Sequence, residues 1–279
     1  MFPSNRLPQL RMTQLLPSCA VLVLLAFGPW TPGVAAQQDL TELARKTKDA
    51  VVHLEIFDRF GAAISTGTGF FVTDTGWIVT NHHVVEGASR VEAVMFDGER
   101  LAIDGVWAVD KGADLAVLQS AGDLFDPLTL HPTSLDLEMG EPVVVIGGPM
   151  GFAGSLTNGV VAAIRQPEDP AFRGEDMGDV PLLQITAAIS PGSSGSPVMN
   201  SAGEVLGVVV SQMISGQNIN FAVPVEALRT VLDSIDPSLE PEGLKSLARV
   251  SRGGYLRNLG ISLLFFVALG LGYRHLTRG

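Results

Sequence analysis

The run Pro191-Gly192-Ser193-Ser194-Gly195-Ser196-Pro197 decides how the rest of the chain is read. Two glycines flank its paired serines, so the backbone can turn tightly there and aim several amide N–H groups at one point. A serine hydroxyl is a poor nucleophile unless a base takes its proton, and the base needs an acid to fix its tautomer and stabilise its charged form. Upstream, Thr80-Asn81-His82-His83-Val84-Val85 ends a β-run at paired histidines, and Gly112-Ala113-Asp114-Leu115-Ala116-Val117 sets an acid directly before an apolar strand. Each signal alone is ordinary: a histidine at a strand end is more often structural, an Asp before a strand is a common turn residue, and Gly-Ser-Ser-Gly is equally a simple loop. Together they supply base, orienting acid and nucleophile.

The pattern around these signals is that of short strands. With 31 Gly and 17 Pro in 279 residues and few aromatics, the composition favours many strands and turns over a helical bundle. Six β-rich runs, 51–57, 67–73, 77–80, 90–96, 101–110 and 115–119, are parted by turn signals such as Asp74-Thr75-Gly76 and Asp97-Gly98. A Pro-, Asp- and Leu-rich stretch from Asp123 to Gly140 reads as a crossover. Six more runs follow, at 142–146, 155–164, 182–186, 196–200, 205–212 and 218–223. A short polar helix is expected at 39–49, with Leu40, Leu43 and Ala44 on one face and capping a barrel, and another at 225–235, opened by Pro224.

A formal charge of −11 excludes nucleic acid as a partner, because neutralising phosphates needs a basic face. No GxxxxGK[ST] phosphate loop occurs. The acids of 165–180 lack the regular alternation of a calcium loop and read as a solvated loop, so no metal and no cofactor is expected. The only cysteine is Cys19, which excludes disulfides and cysteine-based catalysis from a chain cleaved beyond it. It precedes most of the apolar run 19–28, whereas a lipid-modified cysteine should follow such a run. Arg6 and Arg11 ahead of that run and small residues at Val34, Ala35 and Ala36 give residues 1–36 the form of a secretion signal. Near the other end, Leu259–Tyr273 is apolar on all faces and extends to about 20 residues, 256–276, if Arg257 and Arg274 snorkel outward, which is enough to span a bilayer. Asp236-Pro237 and Glu240-Pro241 open a linker, 237–255, to that segment.

With these pieces in hand, the chain resembles the trypsin-like HtrA/Deg serine proteases of the bacterial envelope over 51–232. The likeness is carried by Gly67-Thr68-Gly69-Phe70, Thr80–Val85, Ala113–Leu118, Gly147–Gly151, Ala187–Pro197, Gly203–Gly207 and Asn220–Pro224, and the order His, Asp, Ser is the chymotrypsin order. The resemblance implies an all-β, chymotrypsin-like fold of two six-stranded antiparallel β-barrels, at 50–122 and 140–224, within a protease domain 37–236 followed by a transmembrane helix. It implies His83 as base, Asp114 as orienting acid and Ser194 as nucleophile, with the amides of Gly192, Ser193 and Ser194 facing the oxyanion. His82 falls at the motif's variable position. It further implies a substrate pocket at Ala188, Val210, Ser211 and Gln212; Ala188 stands where trypsin is acidic, so cleavage after small or medium apolar residues of extended polypeptide is expected.

Two departures stand out. Ser193 and Ser196 replace the family's Asn and second Gly, and Ser196 adds a Cβ beside a tight turn. The PDZ domain that usually follows does not fit after Asp236, so a membrane tether is expected in its place. The expected protein is an exported serine endopeptidase of the bacterial cell envelope, its catalytic domain periplasmic or extracellular, anchored in the inner membrane by the C-terminal helix, with polypeptide substrates and a homo-trimer as the family's common assembly. The rival reading is a catalytically inactive, protease-like peptide-binding or sensing module. Esterase activity on small acyl substrates lacks its Gly-x-Ser-x-Gly elbow and parallel-sheet pattern.

Overall fold

A computed structural model describes residues 32–148, 154–170, 179–212 and 219–249. The chain divides into two units, Met1–Gln38, described only in the opening turns of a helix, and Asp39–Gly279, which holds every strand. That helix, α1 (Pro32–Thr47), ends in a 3₁₀ turn at Lys48–Ala50. Six strands follow: β1 (Val51–Phe57), β2 (Ala63–Phe71), β3 (Trp77–Thr80), β4 (Arg90–Val94), β5 (Arg100–Asp110) and β6 (Leu115–Ser120), with a one-turn helix α2 (His82–Val85) after β3. A second six comprises β7 (Pro142–Gly147), β8 (Ser155–Arg165), β9 (Leu182–Ile185), β10 (Pro197–Met199), β11 (Val205–Gln212) and β12 (Asn220–Pro224), and helix α3 (Val225–Asp233) closes the series.

Each set of six closes on itself as an antiparallel barrel, in the orders β1-β2-β3-β6-β5-β4 and β10-β11-β12-β9-β8-β7. Closure pairs each strand on both sides over part of its length, which limits the exposed edges that would otherwise template aggregation. The fold is the chymotrypsin-like pair of six-stranded barrels.

Why so many runs are apolar on successive residues, rather than on alternate ones, follows from the packing. Successive side chains of a strand point to opposite faces. Ala116 and Leu118 fill the first barrel and Val143 and Val145 the second, while their neighbours Leu115, Val117, Val144 and Ile146 join Phe70, Phe221 and Val223 in a third cluster that spans both barrels. Strands buried on both faces read as continuous hydrophobic runs. The same shared cluster takes in Leu43 of α1 and Leu228 and Val231 of α3, so the helix expected at 39–49 does pack on barrel residues, although it begins earlier, at Pro32.

The crossover between the barrels is fixed by α3. Glu226, in its first turn, accepts hydrogen bonds from Thr133 Oγ1 (2.5 Å), Ser134 N (2.7 Å), Ser134 Oγ (2.8 Å) and Leu135 N (3.1 Å). Arg229 Nη2 donates to the carbonyls of Leu130 and His131. Downstream, part of the expected linker is packed structure: Glu242 and Val106 exchange backbone hydrogen bonds (2.8 and 2.9 Å), and Leu247 is buried in the first barrel's core. The apolar run 256–276 and the signal-like core 19–28 lie outside the described residues. Among the described residues no helix is long and apolar enough to cross a membrane.

The hydrogen bonds from Thr133 and Ser134 hold the Glu226 carboxyl at a pKa of about 2, against the desolvation that alone would raise it. Because this folded-state value lies below the unfolded one, the carboxylate contributes stability that is full above the ordinary carboxylate range and is lost as pH falls towards 2. Glu226→Gln is expected to cost about 2 kcal/mol at neutral pH and to flatten the acid limb between about pH 5 and pH 2. Urea unfolding of both chains across that range checks this, and parallel acid limbs would contradict it.

Candidate active site

Asp114 occupies the turn between β5 and β6 and stands in the left-handed region, with φ 53°. Aspartate tolerates that region better than most residues, at a modest cost in strain. Four hydrogen bonds over-determine it. Its carbonyl accepts from His82 N at 3.1 Å and from Asn81 Nδ2 at 3.0 Å. Its carboxylate accepts from His83 N at 2.9 Å and pairs with His83 Nδ1 at 2.5 Å. The acid therefore reaches past His82 and fixes the second histidine through both main chain and ring. The His82 ring makes no hydrogen bond to Asp114, and burial holds its pKa below the ordinary value.

Pairing of Nδ1 with the carboxylate makes Nδ1–H the favoured tautomer of neutral His83, which leaves Nε2 as a proton acceptor. The His83 side chain is 41% exposed and that of Asp114 24%. The imidazole is thus the more exposed of the pair and the carboxylate the more buried.

Ser194 comes from the other barrel, in the turn before β10. Its carbonyl accepts from Thr68 N of β2 at 2.8 Å. Gly67 records how near the two halves of the site come: a Cβ built there would lie 2.6 Å from Val84 Cγ1, the residue after His83, and 3.2 Å from Ser194 O. Next to Ser194, Gly195 has φ 86°, and a Cβ on it would sit 2.0 Å from Thr68 O. No other residue fits that position.

The three amides named from the sequence differ in their engagement. Ser193 N–H donates to Ser190 O at 2.9 Å, whereas the amides of Gly192 and Ser194 have no protein acceptor among the described residues. Two donors, one on each side of the Gly192–Ser193 peptide, are thus without a protein acceptor among the described residues and could meet an incoming oxygen. Ser196, the departure that adds a Cβ, is fully buried and keeps the turn's backbone bonds, donating to Ser193 O at 3.0 Å and accepting from Val209 N at 2.9 Å. Its hydroxyl lies where a side chain on Gly147 would be, 2.2 Å from a Cβ built at that glycine. Bare Gly147 makes room for it.

A partly open cavity of about 70 Å³ adjoins the loop and is lined by Val145, Gly147, Ser155, Thr157, Ala188, Ser190 and Ser193. Of the expected pocket residues, Ala188 lines it, and Val210 is half-buried on β11. The side chains of Ser211 and Gln212 lie outside the described residues, as does the stretch 149–153. Among the described residues no charged group lines the cavity.

Comparison with known proteins gives one consistent result. The model of the trypsin-like peptidase domain matches residues 67–208. A probable periplasmic serine endoprotease, DegP-like, of Halomonas elongata is 36% identical over 176 residues, which is 61% of this chain and 35% of that protein. The mitochondrial serine protease HTRA2 of Bos taurus is 35% identical over 224 residues, 76% of this chain and 46% of that one. Among solved structures, the HtrA-type protease AlgW with tripeptide superposes with a TM-score of 0.62 at 26% identity, over 70% of this chain and 62% of that chain. The chain spans less than half the length of these two curated relatives.

Gly195→Ala should force the 192–196 turn away from β2. We expect a loss of more than about 2 kcal/mol from the positive φ and the backbone clash together, read as a lower urea midpoint; an unchanged midpoint would contradict the seam described above.

Proposed function

This chain belongs to the trypsin-like peptidase family, and we propose that it is a serine endopeptidase acting through His83, Asp114 and Ser194. The observation that carries the reading is the double grip of the Asp114 carboxylate on His83, at 2.9 Å to its amide and 2.5 Å to its ring. A buried structural histidine has no need of such a grip. A base that must keep one tautomer and then carry a positive charge does.

In the proposed cycle, His83 Nε2 takes the Ser194 hydroxyl proton as Oγ attacks the scissile carbonyl carbon. The resulting oxyanion is held by the Gly192 and Ser194 amides. The protonated imidazole, balanced by Asp114, then gives its proton to the departing amine, leaving an acyl group on Ser194. A water enters by the same route in reverse and frees the carboxylic acid. The uncharged lining around Ala188 supports cleavage after small or medium apolar residues, and extended or unfolded polypeptide is the proposed substrate class, since such a chain can add to a strand edge.

The placement in the cell is part of the same proposal. A signal over 1–36 would export the barrels, and the apolar run 256–276 would tether them at the inner membrane of a bacterial envelope, with cleavage confined to polypeptides near that surface. The periplasmic DegP-like relative supports the compartment.

The test is hydrolysis of unfolded casein by the full chain in detergent. Wild type is expected to cleave it, with Ser194→Ala and His83→Ala each lowering kcat by on the order of 10⁴-fold or more while His82→Ala stays within a few-fold of wild type. Equal rates for the wild type and Ser194→Ala, or binding of casein with no cleavage by any chain, would replace the protease with the peptide-binding reading.

A further inference from the structure

Thr68 lies on β2 of the first barrel and is fully buried, yet its hydroxyl is used across the seam. Oγ1 donates to Gly192 O at 2.8 Å and accepts from Gly148 N at 3.1 Å. Its main-chain N–H donates to Ser194 O at 2.8 Å, and its carbonyl accepts from Thr80 Oγ1 at 2.7 Å. One residue of one barrel thus grips the other on both sides of Ser193.

The strand itself does not ask for a hydroxyl. Valine has the same shape and an equal or better strand preference, and the β1–β2 pairing opposite His53 uses main-chain groups alone. What asks for it are the Gly192 carbonyl and the Gly148 amide, which have no other protein partner among the described residues. Replacing the hydroxyl by a methyl would leave both unpaired in the seam, a situation that a backbone avoids by turning.

Gly192 is where it can turn. Its φ is 96°, and a glycine crosses between the two halves of φ/ψ space at little cost. Holding the Gly192 carbonyl fixes the plane of the Gly192–Ser193 peptide, whose N–H points the other way to Ser190 O at 2.9 Å. With that plane fixed, the Gly192 amide on one side and the Ser194 amide on the other are both free for an incoming oxygen. Rotation of the plane would move one donor away and bring a carbonyl dipole towards the charge that develops in the transition state.

The geometry points to Thr68 as a positioning residue that sets the oxyanion-binding amides of Gly192 and Ser194 from the opposite barrel, and couples their alignment to the seating of Gly148. This role rests on the protease reading above. It concerns the transition state and not the binding of substrate, which separates it from a purely structural part in the barrel.

The full chain would be compared as wild type, Thr68→Val and Thr68→Ser, using a fluorogenic extended peptide, a peptide aldehyde whose adduct with serine carries an oxyanion, and the matching peptide alcohol that binds without reacting. Thr68→Val is expected to lower kcat about 10²-fold with KM within about twofold, and to weaken the aldehyde by a similar factor while leaving the alcohol unchanged; Thr68→Ser is expected to restore most of both losses. Val and Ser variants that match wild type in kcat and aldehyde affinity, or that fall together, would overturn the role. Should Thr68→Val fail to fold, Thr68→Cys, a weaker donor of similar size, is expected to lose at least tenfold in kcat, and a wild-type rate would overturn the role. A wild-type chain inert towards peptide and aldehyde would overturn the protease reading and this role with it.

Discussion

The hydrogen bond from Thr68 N to Ser194 O, 2.8 Å long, crosses the constraint on which this molecule depends: the proposed nucleophile and its base belong to different barrels. Each barrel has an interior cluster of its own, and a third cluster is shared between them. The chemistry could not be assembled without a seam packed to within ordinary contact distance. Bare backbone at Gly67, Gly147 and Gly195 lets that seam close, and apolar side chains from both barrels, among them Phe70, Ile146 and Phe221, fill the space around it. The interior is dense enough that an added methyl group at these positions has nowhere to go.

On the first barrel's side of the seam, the left-handed turn at Asp114 converts a strand connection into a clamp. Its carbonyl and carboxylate between them take hydrogen bonds from Asn81, His82 and His83. The mild strain at φ 53° is offset by four bonds that orient one imidazole. On the second barrel's side the corresponding device is the turn from Gly192 to Ser196, whose own backbone bonds use the Ser193 amide and leave those of Gly192 and Ser194 available. Gly67 of β2 lies where the two devices come together, next to Val84 on one side and Ser194 O on the other.

Much of this was legible in the sequence, and the reasons are physical. Strands buried on both faces produce continuous apolar runs, and Gly-, Asp- and Pro-containing turns interrupt them, so β1, β3 and β11 fall where the runs fall. The start of β2 was less legible: Ser65 and Thr66 pair with Ile56 and Glu55 but are polar and exposed enough to read as loop. The pairing of Asp114 with His83 and the turn around Ser194, on which the proposed triad rests, were legible because each sits in a local run whose neighbours are constrained. The roles of Thr68 and Gly147 were not, because each is set by a partner far along the chain, Gly192 for one and Ser196 for the other. Docking of Glu242 on β5 and of Leu247 in the first barrel was equally hidden, since Pro-flanked polar residues read as linker until the strand that receives them is known.

The central claim is that the seam aims one serine among three close neighbours. Reaction of the full chain with a fluorophosphonate, followed by peptide mapping in a mass spectrometer, tests it most directly. One phosphonyl group per chain on Ser194, absent when His83 is replaced by alanine, is the predicted result; a group on Ser193 or Ser196, or labelling of Ser194 that persists without His83, would contradict it.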